Sequence, residues 1–559
     1  MQPPTASPAP SPEAEVSTLL GSGPDPRGGA TLPRALVRAC RLSGGRLKVA
    51  DSLGTRLSGR ALLIRILCAM RVLERVLAPD EQAVGVMLPP TAAAAIVNAA
   101  LVFMGRVAVN LNYTTSQQTL DLSIERAGLR HVLTSPAFLA RVKLSVGSRL
   151  LDATELKSRL TTFDTLVAAT QATCLPLGIL ERMLGLDRLR AADVLTVIFT
   201  SGSTGDPKGV VLSEENVASN VRAIGQILHV SSADVALGVL PLFHSYGYTA
   251  TFWAPLVLDA AVVYHTNPLD AQAIGALARE HHATILMATP TFLRTYLRRT
   301  PAEDFSTLEV VFGSAEKLPR ELSDAFEAKF GVRPREAYGA TEMSPLIAAN
   351  IPPARHVPGS RADAREGTVG RPIPGCSARV TTREDVAPLP VGSEGMLWIT
   401  GPNVMQGYLD RPDLSAQVIR DGWYCTGDIA RLDEDGFITI TGRESRFSKI
   451  GGEMVPHIPV EEAVNAELGS GDGELMAVVA GVPDPRKGER LVVLHLKTGR
   501  DPHDICRGLA ARGLPNLWIP TPDSFAEVEA IPVLGSGKLD LLWLATEAGE
   551  RFRPGGEPS

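Results

Sequence analysis

The chain has 559 residues, of which 45% are hydrophobic and 21% charged, and its formal net charge is −6. That length predicts two or three domains with ample core, and the composition is that of an ordinary soluble globular enzyme. The acidic balance argues against nucleic acid as a main partner. Six cysteines scattered without CxxC spacing argue against a disulfide framework or zinc site, and suit free buried thiols in a reducing cytoplasm.

Residues 1–29 are rich in Pro, Ala, Ser and Gly, lack the basic and apolar regions of a secretory signal, and are expected as a disordered arm. Leu62 to Leu77 sets apolar residues between Arg65, Arg71 and Arg75; a surface helix is expected, with a membrane-surface helix as the alternative. A strand over Ala83 to Leu88 precedes a buried helix over Thr91 to Met104 that is too short to cross a bilayer. Strands are expected over Thr196 to Phe199, Asp234 to Leu240, Ala260 to Tyr264 and Ala283 to Met287, with a helix over Asp270 to His281. This alternation is an α/β pattern. Gly395 to Thr400 and Gly436 to Thr441 read as strands of a small β region. After Gly442 comes a compact α+β unit, with helices over Val460 to Leu468 and Asp501 to Gly513 and strands over Leu475 to Gly481 and Leu491 to Lys497. The expected division is an arm over 1–29, a large domain over 30–441, a small domain over 442–545 and a frayed tail over 546–559.

The segment that carries chemistry is Thr200-Ser-Gly-Ser-Thr-Gly-Asp-Pro-Lys-Gly209, a loop of hydroxyls and glycines directly after an apolar strand. Gly202 and Gly205 let backbone N–H groups turn toward an anion. Thr200, Ser201, Ser203 and Thr204 add donors, and Lys208 adds a point charge. Such a loop suits a nucleotide triphosphate; a Ser/Gly linker is the alternative. It is not the usual P-loop, because Lys208 precedes Gly209 instead of following a glycine.

Read with Tyr338-Gly-Ala-Thr-Glu342, Thr426-Gly-Asp428, Gly442-Arg443 and Pro532 to Lys538, in that order, the loop resembles the signature of the adenylate-forming superfamily. The likeness covers roughly 50–545. It implies a large N-terminal α/β domain and a small, mobile C-terminal α+β domain. It implies ATP and Mg²⁺ as cofactors, with Tyr338 packed on the adenine, Gly339 and Ala340 among the cofactor-binding residues, Thr341 on the adenylate phosphate and Glu342 on magnesium. A hard carboxylate suits a Mg²⁺ that bridges phosphates. The likeness also sets Asp428 and Arg443 at the ribose, and a carboxylate suits a vicinal diol; for Asp428 an Asx-type turn is the alternative. Ala315 and Glu316 fall on a loop that lines the adenine and acyl pockets, although Glu316 and Lys317 also read as solvated residues. Ser445 falls at the hinge, where the family carries Asp or Lys. Gly451 and Gly452 fall on the loop that approaches the acceptor thiol. Lys538 is the implied catalytic lysine of adenylation.

His244, in Pro241-Leu-Phe-His-Ser-Tyr-Gly247, falls where the family places an acyl-pocket gate; a structural histidine is the alternative. The surrounding residues are apolar or aromatic, and Asp234 lies too early to meet a substrate ammonium. A fatty acid is therefore expected as substrate, with CoA or acyl carrier protein as acceptor. The texture of 312–344, 393–409 and 446–454 most resembles the synthetase part of acyl-acyl-carrier-protein synthetases, without the acyltransferase half that is often fused to it. The expected protein is a cytoplasmic ligase of lipid metabolism with at most peripheral membrane association. The C-terminal unit has more acidic than basic residues, and only Arg486, Lys487 and Arg490 offer an acidic carrier protein an attractive surface. A non-catalytic protein of the same fold that binds nucleotide or acyl-AMP is the alternative.

Overall fold

The computed structural model of the protein describes residues 30–201, 206–356, 364–382, 387–451, 453–469, 475–484, 486–533 and 539–552. The expected arm over 1–29 lies outside them. Two large sheets form the body. A seven-stranded sheet runs in the order 407–408, 207–213, 194–201, 107–110, 83–86, 132–134, 150–152. A nine-stranded sheet has parallel strands from Arg335–Gly339 through Val310–Ser314, Ile285–Ala288, Val235–Gly238 and Ala261–Tyr264 to Leu47–Asp51. Its inner strands are apolar on both faces, as parallel strands covered by helices must be; Ala261–Tyr264 is buried throughout. One apolar cluster runs through both sheets and the helices packed on them.

Local chemistry starts the helices as the sequence suggests. Thr91 caps Ala92–Phe103 through the Ala94 N–H, and Asp270 caps Ala271–His281 through the Ala273 N–H. Ser213 and Asn216 form a reciprocal capping box on Glu214–Leu228.

The helix Gly59–Leu73 corrects the expectation of a surface helix. Leu62, Leu63, Ile66, Leu67, Cys68 and Met70 are all buried, because it packs against Leu32–Ser43, Ala92–Phe103 and Thr162–Cys174. Arg71 on this helix and Arg75 just beyond its end both pair with Asp164.

The small β region is a five-stranded sheet made of 377–381, 394–400, 419–420, 423–432 and 438–443. The C-terminal unit is a second five-stranded sheet with an apolar cluster on each face. One is roofed by His457–Glu467 and Pro502–Ala511, the other by Leu541–Arg551. That last helix corrects the expected fraying from 546: Leu544, Ala548 and Phe552, spaced four apart, are buried against the sheet. Residues 553–559 lie outside the described part. Among the described residues, side chains of the unit meet the body at two places that bear on the site. Lys317 Nζ is 2.5 Å from Glu462 Oε1. Phe447 packs on the Met396, Trp398 and Ile429 cluster.

All six cysteines are free, but the expectation of buried thiols holds only in part. Cys40, Cys68 and Cys376 are buried, Cys425 and Cys506 partly so, and Cys174 is exposed because it closes an outer helix. Among the described residues no helix is long and apolar enough to cross a membrane.

Candidate active site

The hydroxyl- and glycine-rich segment is narrower than a ten-residue loop. Val194–Ser201 and Pro207–Ser213 form an antiparallel hairpin in which Thr200 faces Lys208 and Phe199 faces Gly209. The apolar, β-branched flanks extend the ladder into the motif, as far as Ser201 opposite Pro207. Gly202, Ser203, Thr204, Gly205 and the Ser201 side chain lie outside the described residues. The pairing aims Lys208 across the hairpin edge: its Nζ is 5.4 Å from the centroid of the Tyr408 ring.

Tyr408 is a residue that sequence reasoning missed. It sits on the two-residue strand Gly407–Tyr408, which adds to the hairpin with Tyr408 opposite Val210. Its hydroxyl donates to Glu342 Oε1 at 2.8 Å. Burial and the neighbouring Glu342 push the phenol far above its usual pKa, so it remains a donor. The only local signal was an unexplained Gly-Tyr pair after Gln406.

Glu342 and Thr341 sit on a tight turn, Thr341–Met343, that two buried asparagines brace. Asn403 Nδ2 donates to the Met343 and Leu346 carbonyls at 3.0 and 2.9 Å. Asn220 bonds the Met343 carbonyl at 3.1 Å and the Leu346 N–H at 2.7 Å. The Met405 N–H donates to the Glu342 carbonyl at 2.8 Å. Gly339 is required here, since a Cβ would lie 2.3 Å from the Pro345 carbonyl oxygen. Neither asparagine was singled out from sequence.

Three residues expected at adenine and ribose meet directly. Asp428 and Arg443 face each other on adjacent strands, with Arg443 Nε 3.5 Å from Asp428 Oδ1. The Tyr338 hydroxyl donates to Asp428 Oδ2. Asp428 holds the Arg443 guanidinium firmly charged, and burial together with Asp428 drives the Tyr338 phenol well above its usual range. The cluster is a carboxylate with a cation and a phenol already oriented around it.

The stretch that holds His244 adjoins Thr341: Ser245 Oγ donates to Thr341 Oγ1 at 3.3 Å. His244 is half-buried, with its ring against Phe243 at a 5.9 Å centroid distance, and Phe243 meets Tyr113 edge-on at 4.8 Å. The chain then winds into a fully buried π-helix, Gly247–Trp253, a form common at functional sites. Only glycine fits at 247, because a Cβ would stand 2.2 Å from the Pro241 carbonyl oxygen. The buried Tyr246 hydroxyl lies against Ser314.

Ala315 follows in a left-handed conformation, φ 76°. Glu316 and Lys317 are not simply solvated. Thr291 Oγ1 donates to Glu316 Oε2 at 2.9 Å, and Lys317 bonds Glu462. Asp234 is spent on structure: it is buried, 2.5 Å from Arg355 and bonded by Thr284. It is not available to a substrate ammonium.

Lys538, Gly452 and the Ser445 side chain lie outside the described residues. Ser445 falls within the turn Glu444–Arg446. Gly451 has φ 59° with open space where a Cβ would stand. Val533 and Leu539 bridge the base of the segment that carries Lys538.

Glu342 is partly exposed, and only Oε1 meets a donor among the described residues. One carboxylate with a free oxygen fits magnesium, which is usually held by one or two carboxylates and the substrate's own phosphates. No group of three metal-binding side chains occurs among the described residues.

Residues 36–409 match the sequence profile described as AMP-binding enzyme. A sulfoacetate–CoA ligase of Cupriavidus necator is 32% identical over 355 residues, which span 63% of this chain and 67% of that protein. A long-chain-fatty-acid–CoA ligase of Yersinia pestis is 31% identical over 312 residues, 55% of this chain and 53% of its own length. The chain thus spans about half of the latter. In three dimensions, ATP-bound MatB from Rhodopseudomonas palustris superposes with a TM-score of 0.75 at 25% identity, over 92% of this chain and 98% of that one.

Proposed function

The chain belongs to the AMP-binding enzyme family, and from that premise we propose that it is an acid–thiol ligase. The first half-reaction joins a carboxylate to the α-phosphate of ATP and releases pyrophosphate. In the second, a pantetheine thiol displaces AMP to give an acyl thioester. The observation that carries this reading is a convergence. Lys208, Tyr408 and Glu342 form one group, and Tyr338, Asp428 and Arg443 form another. Ser245 joins the His244 stretch to Thr341.

In this reading Lys208 and the hairpin hydroxyls hold the phosphates. Asp428 and Arg443 hold the ribose, and Tyr338, through its ring, the adenine. Ala315 and Glu316 border the adenine pocket. Glu342, steadied by Tyr408, is the protein's ligand to magnesium, which when bound supplies charge neutralisation at the phosphates. Lys538 stabilises the charge that develops as pyrophosphate departs. Gly451 and Gly452 admit the thiol, and Ser445 is the pivot of the small domain.

The proposed acid is a medium- or long-chain fatty acid, because Phe243 to Trp253 carries no carboxylate, its Phe243, Tyr248, Phe252 and Trp253 are buried, and Asp234 is already engaged. The two relatives named above act, by their names, on very different acids but share CoA, so CoA is the first acceptor to test and acyl carrier protein the second. The test is acid-dependent ATP–pyrophosphate exchange across fatty acids, sulfonated short acids, aromatic acids and amino acids, followed by thioester formation with each acceptor. Exchange driven only by short or amino acids would end the fatty-acid reading; exchange with no acid would end the ligase reading. Lys538→Ala should lower exchange roughly 10²-fold or more and spare transfer from supplied acyl-adenylate. Gly452→Leu should do the reverse. Equal loss of both steps in both variants would sink the division of labour between them.

A further inference from the structure

We infer that the paired outer helices Thr162–Cys174 and Leu177–Met183 form a docking surface for an anionic lipid bilayer. Neither the candidate site nor the family assignment requires this. The first helix buries Asp164, Ala168 and Ala172 against the body. Its outer face carries no charged residue, since Asp164 is the only ionisable group of the carboxylate or basic kind between Thr162 and Thr173. An exposed helix of a soluble protein normally covers that face with Lys and Glu. Here it shows Phe163, 66% exposed, and Leu166, 65% exposed, one turn apart. The second helix continues the patch with Leu177, Ile179 at 56% and Met183. The two helices touch, with Gln171 Nε2 3.8 Å from Met183 Sδ. Scattered exposed apolar residues need no explanation, but large ones gathered on two touching helices mark an interface.

What surrounds the patch names the partner. Arg71 lies over the Phe163 ring at 5.9 Å. Arg71 and Arg75 reach Asp164, and Arg34 and Arg38 reach Glu181. Arg41 donates to the carbonyls of Gln171, Thr173 and Leu175 at the helix end, and Arg182 stands exposed beside Met183. Six arginines thus ring the patch against three carboxylates, Asp164, Glu181 and the Glu74 beside Arg75, an excess of three positive charges in a chain whose net charge is −6. An apolar centre with a cationic rim matches the interface of an anionic membrane, where acyl chains take the apolar groups and headgroups the guanidinium groups. A second copy of the chain fits poorly, because a two-fold contact would set like-charged rims against each other.

The experiment measures partition of the full-length protein onto vesicles, not turnover, and so stands apart from the ligase reading. Co-sedimentation is compared for phosphatidylcholine vesicles with and without phosphatidylglycerol. The expected result is binding to the anionic vesicles that weakens on added salt. The triple variant Phe163→Gln, Leu166→Gln, Ile179→Gln should bind at least about tenfold more weakly, and Arg182→Glu several-fold more weakly. All these positions are exposed, so the melting temperatures should match the parent. Three results would overturn the proposal. One is no binding to anionic vesicles, and another is a triple variant that binds like the parent. The third is a dimer in analytical ultracentrifugation that the triple variant breaks, without vesicle binding, which would assign the patch to a second copy.

Discussion

The two ends of the candidate site are built in opposite ways. At the nucleotide end, polar side chains from distant segments already hold one another: Tyr338 with Asp428, Asp428 with Arg443, Tyr408 with Glu342. At the end proposed to take the acid, the wall is buried aromatic and aliphatic surface on a π-helix, with hydroxyls such as Tyr246 tucked among it. The first arrangement is preorganised for one charged partner. The second is shaped by packing, and its specificity lies in volume and not in named polar pairs. Substitutions should therefore act strongly and specifically at the nucleotide end and weakly but selectively at the acid end.

The sharpest break would come at Glu342. Glu342→Ala should lower acid-dependent pyrophosphate exchange by roughly 10²-fold and weaken Mg–ATP binding by calorimetry, with folding kept. Full exchange activity would remove Glu342 from the metal.

Glu336, on the strand Arg335–Gly339, accepts from the Leu318 N–H at 3.3 Å. Burial raises its carboxyl from 4.5 to about 7. The folded state then binds the proton more tightly than the unfolded state, so stability falls as pH rises from 4.5 through 7. Glu336→Gln should be more stable than the parent at pH 8, on the order of 2 kcal/mol, and equal to it below the unfolded value. Denaturant unfolding at the two pH values reads this directly; a pH-independent difference would contradict it.

Tyr408→Phe tests whether the proposed nucleotide end depends on support behind Glu342, the proposed metal ligand. Loss of one hydrogen bond to a carboxylate should weaken Mn²⁺ binding, followed by EPR in the presence of ATP, about tenfold. An unchanged affinity would make Tyr408 structural only.

Tyr246→Phe should shift the ranking of acids by a few-fold while leaving the KM for ATP unchanged. A larger effect on ATP than on the acid would erase the distinction between the ends. The smallest effect belongs to the exposed Lys317–Glu462 pair across the domain contact. A double-mutant cycle on thermal stability should give less than about 1 kcal/mol.

The motifs that chain-local geometry carries were legible. Glycine at 339, the helix starts at Thr91 and Asp270, and the apolar runs of the parallel strands each act within a few residues, so their signals are contiguous. The order of the Tyr338, Asp428 and Arg443 segments was enough for the family. The width of the phosphate loop was misjudged because strand pairing, decided by the partner across the hairpin, extended order to Ser201 and from Pro207. Leu62 to Leu77 reads as a surface helix because regular arginines mimic an outer face; the helix Gly59–Leu73 is instead buried by neighbours on three sides.

By itself the sequence determined the fold class and the division into a large and a small unit, because both are written in local patterns of polarity and backbone freedom. Only the tertiary structure brought Tyr408 to Glu342 and Asn220 and Asn403 to the turn that carries it. It also bonded Lys317 to Glu462, and left the faces of Thr162–Cys174 and Leu177–Met183 bare while Gly59–Leu73 was covered. These contacts join segments far apart in the chain, and whether a given apolar or polar face ends up buried depends on which distant surface packs against it.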